Sequence, residues 1–308
     1  MGHRDPMPFF RWICALTLFL LPAGIASGSR ATTVEARYPV LEFGILGQAA
    51  PAPLDENTLL AAEGFRITRA DLAASLESKD PAMRAQLEKH LLFVLDQLAT
   101  RKLLLAEAQK TGIPGGGKDG DQVIGELLER KSANASVSED EVNTFYRENR
   151  ELTGGVPFEQ VRDSIRQYLL QEKKSRFAVS YVSSLGKSAR LRVKESWLEQ
   201  QARIALDNPV DKARSSGKPT LVEFGATGCI PCDKMQPILD NLRKNYPGKL
   251  NVVFVHVRKE AILATRYGIR SIPIQAFFDS KGKEVFRHVG FFTEDEVVEQ
   301  LSRMGIAR

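Results

Sequence analysis

The sequence predicts an α + α/β chain, with an all-helical N-terminal domain followed by a three-layer α/β domain. Three observations carry that expectation. Between Pro81 and Leu185, apolar residues recur at three- and four-residue spacing, the mark of helices with one buried face. After Asn208, short apolar strands alternate with helical segments. Finally, the stretch Thr220–Asp233, TLVEFGATGCIPCD, runs from an apolar strand (Leu221, Val222, Phe224) through Gly225 and Gly228 into Cys229, Ile230, Pro231 and Cys232. Periodic Met235, Ile238, Leu239 and Leu242 follow, so the stretch reads as strand, tight turn and helix, with Cys229 at the helix start. A chain of 308 residues, 43% of them hydrophobic, has the length for two domains and the apolar content for their cores. The net charge of +5 is modest and Lys and Arg are scattered, so nucleic-acid binding is not expected.

In chain order, residues 1–26 read as an export signal peptide. Arg4 and Arg11 precede the apolar run Trp12–Leu21, and Pro22, Gly24 and Ala26 supply a break and a small-residue cleavage pattern. The run is shorter than the ~18 residues of a spanning helix, which favours cleavage and a periplasmic location over an uncleaved membrane anchor. Cys14 lies inside the run and reads as inert. The mature chain then keeps only Cys229 and Cys232 of the three cysteines, a pair too few for a disulfide framework and suited to chemistry.

Residues 27–57, Ala-rich and holding Pro51 and Pro53, read as a linker or poorly ordered arm. The helical domain is placed at 58–194. It opens with a short hairpin around Glu63 and Gly64 and a helix-start signature at Thr68–Asp71. One long helix is expected from Pro81 to about Lys110, its apolar face formed by Leu87, Leu91, Val94, Leu95, Leu98 and Leu105, with His90 on its polar side. Gly112 ends it, Pro114–Gly120 is a break, and a short helix covers Asp121–Arg130. Ser138–Glu141 caps a helix through Tyr146, Phe158–Leu185 is a second long helix, and Ala189–Val193 is a short strand. A connecting helix with Trp197 is placed at 195–207.

The α/β domain spans 208–308. Asn208 and Pro209 cap its first helix. The segment around Cys229 is followed by a strand at Leu250–His256, a helix near Lys259–Tyr267 and strands at Ile274–Phe278 and Glu284–His288. Thr293–Glu296 caps the last helix.

A thiol at a helix start sits beside unpaired backbone N–H groups that stabilise its thiolate, and two cysteines three apart can close a small disulfide ring. Around this pair lie Pro237, five residues past Cys232, the loop Tyr267-Gly268-Ile269-Arg270-Ser271-Ile272-Pro273, and Gly290 after a strand. On these features Asn208–Ile306 resembles the thioredoxin family. The resemblance implies that Cys229 is the nucleophile, that Cys232 resolves the mixed disulfide, and that Pro273 is cis. Pro273 and Ile272 would then present backbone to an extended substrate strand, with Ile230, Pro231 and Gly290 completing the substrate-binding surface. Pro231, before the second cysteine, resembles the family's reductases. Glu223 matches the family's buried acid, whose burial raises its pKa towards neutrality and suits it to manage the proton of Cys232; the other reading is an exposed strand carboxylate. Two departures stand out. Phe254 replaces the lysine that usually faces that acid, and Gly225 and Gly228 replace tryptophans, which predicts a more open and less aromatic groove.

Gly64–Thr68, Arg101–Ala108 with Thr111-Gly112-Ile113, Val137–Asn149 and Phe158–Lys173 carry a second resemblance, over Leu59–Val193, to the N-terminal chaperone domain of SurA-type periplasmic proteins. Only Arg150–Pro157 separate Asn149 from the next helix, too few residues for the parvulin module that commonly follows there, so prolyl isomerase activity is not expected. This domain then either binds clients or only positions the redox domain.

Together these readings predict an exported thiol–disulfide oxidoreductase that reduces disulfide-containing or unfolded client proteins. A CcdA/DsbD-type membrane carrier is the electron donor that the resemblance implies. The alternatives are a disulfide oxidase or isomerase, and a non-catalytic chaperone or adaptor. No cofactor is expected beyond the Cys229–Cys232 disulfide. No metal is expected either, since a zinc site needs two further ligands and His256 and His288 are isolated on different strands.

Overall fold

The computed structural model describes residues 32–41, 43–77, 80–150 and 155–307. The export signal expected at 1–26 lies outside the described residues. Among those described, no helix is long and apolar enough to cross a membrane.

The arm expected to be poorly ordered is instead built into the core. It holds α1 (Val34–Arg37), a 3-10 turn at Ile45–Gln48 and strand β1 (Ala50–Ala52). Val34, Leu41, Ile45 and Leu46 are buried in one apolar cluster with residues 92–99 and 197–205. Its few large apolar residues are spaced irregularly, which hid them from a periodicity reading, but each finds a buried slot. The anchor is Asp96, 4% exposed, which accepts backbone N–H bonds from Gly44 (3.1 Å) and Leu46 (2.7 Å). Asp96→Ala leaves those buried donors unpaired and is expected to lower stability by about 2–3 kcal/mol, read as a reduced denaturant midpoint at unchanged slope.

Strands β2 (Thr58–Ala62) and β3 (Phe65–Thr68) form the expected hairpin, turning at Gly64 with φ +93°. Five helices follow: α2 (Arg69–Glu77), α3 (Pro81–Glu88), α4 (Leu91–Lys110), α5 (Gly120–Lys131) and α6 (Glu139–Glu148). Helix α7 (Phe158–Ser188) then leads to strand β4 (Arg192–Lys194). The single helix expected over 81–110 is two. The chain breaks at Lys89 and His90, and His90 is buried at 7% exposure rather than on a polar face. The domain is helix-rich but not all-helical, because the four short strands pair in the order β1-β4-β2-β3. The hairpin and a strand near β4 are expected from the sequence, whereas β1, three residues long, is too short for alternation to announce it.

Helix α8 (Glu195–Ala205), expected as a connector, is a core element whose Trp197, Leu198, Ala202 and Ala205 join the N-terminal cluster. Helix α9 (Pro209–Arg214) is capped by Asn208, whose Oδ1 accepts from the N–H of Val210 and Asp211. Then come β5 (Thr220–Gly225), α10 (Ile230–Asn245), β6 (Asn251–His256), α11 (Ala261–Arg266), β7 (Ile274–Phe278), β8 (Glu284–Val289) and α12 (Glu294–Arg303). The sheet runs β6-β5-β7-β8, with β5 parallel to β6 and antiparallel to β7, and β7 antiparallel to β8. Alternation on β5 sends Leu221 to one layer, with Met235, Leu239, Phe277 and Leu301. Val222 and Phe224 go to the other, with Leu263, Ala276 and Phe278. Helices on both faces make the three layers expected of this region.

The two regions share a junction. Ile262 of α11 is buried in the N-terminal cluster, Gln86 Oε1 accepts the N–H of Ala261 at 3.1 Å, and Arg214 donates to the carbonyls of Gly282 and Val40. Asp211, fully buried, accepts from Asn208, Arg266 (3.0 Å) and the Tyr267 hydroxyl. Asp211→Ala removes the carboxylate that lies 3.0 Å from the buried Arg266 guanidinium and 3.9 Å from that of Arg214. It is expected to cost about 3–4 kcal/mol in chemical denaturation, while Asp211→Asn keeps part of the network and costs less.

Candidate functional site

Three chain segments converge at the C-terminal end of β5. Phe224 pairs with Ile274, so Pro273 continues β7 beside Gly225, where β5 ends and the chain turns towards the cysteines. The turn needs Gly228, at φ +78°. Cys229 then caps α10, its carbonyl accepting the N–H of Asp233 at 2.9 Å. Cys229 and Cys232 are joined as a disulfide with Cα atoms 5.2 Å apart. Cys229 is half-buried, Cys232 is 1% exposed and Ile230 between them is 72% exposed. Of the two sulfurs, an incoming thiol can therefore reach the one on Cys229.

The Ile272–Pro273 peptide is cis, and the Pro273 carbonyl accepts the N–H of Gly290 at 2.8 Å. Gly290 holds φ +103°, a conformation that disfavours any side chain. This bond brings Gly290 and Pro273 together at the end of the sheet that carries Cys229. Beside them Phe291 is 41% exposed, so the rim holds apolar surface at Ile230 and Phe291.

Glu223 lies beneath this rim, wholly buried, on the face of β5 that α10 covers. Its cross-strand neighbours are Phe254 on β6 and Gln275 on β7. Gln275 Nε2 donates to Glu223 Oε2 at 2.8 Å. Burial pushes the Glu223 carboxyl up to about 8, against the opposing effect of the Gln275 amide.

The groove is open at only one of the two glycines. A Cβ at Gly228 meets nothing within 4 Å, whereas a Cβ at Gly225 would lie 3.0 Å from the Phe254 ring and 3.3 Å from Cys232 Cβ. Phe254 thus fills the space that Gly225 leaves, and aromatic surface is relocated rather than removed. Gly225→Trp is expected to lower stability by about 2 kcal/mol or more, read as a depressed melting temperature of the oxidised protein.

Two side chains near the cysteines escaped the sequence reading. Gln275 sat unremarked in an apolar strand, although a polar residue on the core face of Ile274–Phe278 was the available signal. His256, considered only as a metal ligand, accepts the N–H of Thr227 at 3.4 Å and so braces the turn before Cys229. His288 stacks on Phe292 with ring centroids 4.1 Å apart, on the far strand of the sheet. Among the described residues, no group of three His, Cys, Asp or Glu side chains is placed to hold a metal ion.

Residues 206–305 match the thioredoxin-like domain family. Thioredoxin 1 of Nostoc sp. strain PCC 7120 is 36% identical over 103 residues, which are 33% of this chain and 85% of that protein. The chain belongs to the thioredoxin-like family. A second thioredoxin-like protein, slr0233 of Synechocystis sp. strain PCC 6803, is 34% identical over 94 residues, 30% of this chain and 89% of its own length. The thiol:disulfide interchange protein TxlA homolog of the same organism is 37% identical over 95 residues, 30% of this chain. This thioredoxin-like chain spans only 52% of the TxlA homolog, and between 37% and 66% of three chloroplastic M-type thioredoxins.

Proposed function

We propose that this chain is an exported thiol–disulfide oxidoreductase that works as a reductase of client-protein disulfides. The observation that carries the proposal is the asymmetry of the cysteine pair. One sulfur caps α10 at the rim and its partner is buried one turn inward, within bonding distance.

In the forward reaction, the Cys229 thiolate attacks a client sulfur, the client disulfide breaks, and a mixed disulfide forms. Cys232 then attacks Cys229 Sγ and frees the reduced client. The first helical turn favours the thiolate of Cys229 as the nucleophile of the first step. Glu223 takes the proton of Cys232 during that second step. The backbone at Ile272, before the cis-proline Pro273, pairs with the client strand, Gly290 keeps the rim free of a side chain, and Ile230 and Pro231 give the client apolar footing. The names of the TxlA homolog and of the thioredoxins support disulfide chemistry.

Export rests on the pattern of residues 1–26. An oxidising compartment holds no soluble reducing pool, so the oxidised pair is recharged by a membrane carrier of the CcdA/DsbD type. The helical region, whose sequence resembles SurA-type domains, binds unfolded clients or positions the redox domain.

The test is insulin reduction with dithiothreitol as the electron source, alongside a redox titration of the Cys229–Cys232 couple. The expected results are accelerated insulin precipitation and a midpoint in the reducing range, near the roughly −270 mV of thioredoxin. A midpoint near −120 mV would reverse the assigned direction to oxidation.

A further inference from the structure

Glu223 and Gln275 face each other across β5 and β7, both wholly buried, and one hydrogen bond joins them. Two oxygens of the pair have no partner, the second carboxyl oxygen Glu223 Oε1 and the amide oxygen Gln275 Oε1. Two orphaned acceptors in one buried pair are costly, and an ionised carboxylate makes the cost greater. A single proton on Glu223 resolves both. An acid O–H can donate to the amide oxygen while the amide N–H donates to the acid carbonyl, the complementary pairing of a carboxylic acid with a primary amide. Among the described residues, no cation is bonded to Glu223 in place of that proton. Cys232 of α10, His256 of β6 and His288 of β8 are the titratable groups on the surrounding elements that face this layer. None of them is bonded to Glu223, and the ionic side chains of α10 lie on its exposed face. On α12, Glu294 is half-buried and bonds Asn241, and the other ionic side chains are exposed.

We propose that Gln275 is a positioning residue that pairs with Glu223 in both of its charge states, while burial keeps the acid protonated in the oxidised protein, so that this acid–amide pair stores the proton exchanged with Cys232. The inference rests on the thiol–disulfide reading above. In the resolving step the Cys232 S–H gives its proton to the Glu223 carboxylate, and the sulfur's electron pair attacks Cys229 Sγ. The Cys229–client S–S bond breaks, its electron pair leaves on the client sulfur, and that sulfur takes a proton from solvent. The Cys229–Cys232 bond forms, so the cysteine pair is oxidised by two electrons and the client is reduced by two. When a donor dithiol opens the Cys229–Cys232 bond, the departing Cys232 thiolate takes the proton back. Gln275 Nε2 then steadies the carboxylate left behind. The carboxyl's raised proton affinity, about 8, fits a group that stays loaded at neutral pH.

The experiment is a pH titration of the Glu223 side-chain carboxyl by carbon-13 NMR in the oxidised full-length protein, its signal assigned by its absence in Glu223→Gln. The wild type is expected to titrate well above 4.5. In Gln275→Leu the carboxylate loses its one donor, so the midpoint should rise by about one unit or more. The pH profile of mixed-disulfide resolution should move with it. A wild-type midpoint in the ordinary carboxylate range, or an unmoved midpoint in Gln275→Leu, overturns the assignment. Should Gln275→Leu not fold, infrared spectra of the wild type with isotope-labelled glutamine decide the matter. The amide carbonyl band is expected to shift as Glu223 titrates, and a band that stays fixed refutes the pairing. A protein that titrates as described yet reduces no disulfide would sink the enzymatic reading while leaving the acid–amide pair standing.

Discussion

Cys229→Ser is expected to return insulin reduction to the uncatalysed rate, a loss on the order of 10³-fold or more. The serine hydroxyl fits the N-cap position and favours the helix at least as well as cysteine does, so the fold should survive and the loss is chemical. Cys232→Ser separates the two sulfurs by role. It leaves the rim nucleophile in place and removes the attack that releases it, so mixed disulfides with clients should accumulate on Cys229. Non-reducing gels with mass spectrometry would show client adducts on Cys232→Ser and none on Cys229→Ser. Equal trapping by both variants would mean that Cys232, despite its burial at 1% exposure, is reached first.

Glu223 should make the protein less stable as the pH rises through neutrality. Folded, the carboxyl keeps its proton up to about 8; unfolded, it releases it near 4.5. Between those values the folded chain binds more protons, so the contribution is whole below about 4.5 and is lost as pH climbs through about 8. At 1.36 kcal/mol per unit, a separation of 3.5 units (8 minus 4.5) amounts to roughly 5 kcal/mol at its fullest. Buried His90 acts in the opposite sense. Its imidazole is depressed to about 4, chiefly by burial with Arg266 adding to it, so stability rises with pH between there and 6.5. The wild-type curve is therefore a sum, and the Glu223→Gln curve subtracted from it isolates the carboxyl. Denaturant midpoints of the oxidised proteins between pH 4 and 9 would measure both. Parallel curves for the two proteins would mean that Glu223 titrates in place as an ordinary acid.

The cysteines and their helix were legible in the sequence because strand, glycine turn and helix follow one another within 14 residues, so local pattern and local structure coincide. Strands β5, β6 and β7 were legible for the same reason, since each is a bounded, mostly apolar run. What escaped depends on contacts between distant segments. Asp96 holds the arm through residues about fifty positions away, and Gln275 meets Glu223 across a separation of 52. No periodicity encodes such pairs. His90 falls on the polar side of a continuous helix over 81–110, but the chain breaks beside it and its side chain is buried. Phe254 departs from the family pattern in sequence, but its fit against Gly225 depends on the pairing of β6 with β5.

The junction around Asp211 and Ile262 also bears on how the protein can be dissected. A fragment cut at residue 208 would retain every group that touches a disulfide, yet it would bare Ile262 and leave the Arg214 guanidinium without the Val40 carbonyl. Such an excised module would carry a sticky apolar scar on α11, and its solubility and activity would describe the scar as much as the chemistry. A gentler excision keeps residues from Thr33 onward and lets the redox layer stay seated on its pedestal.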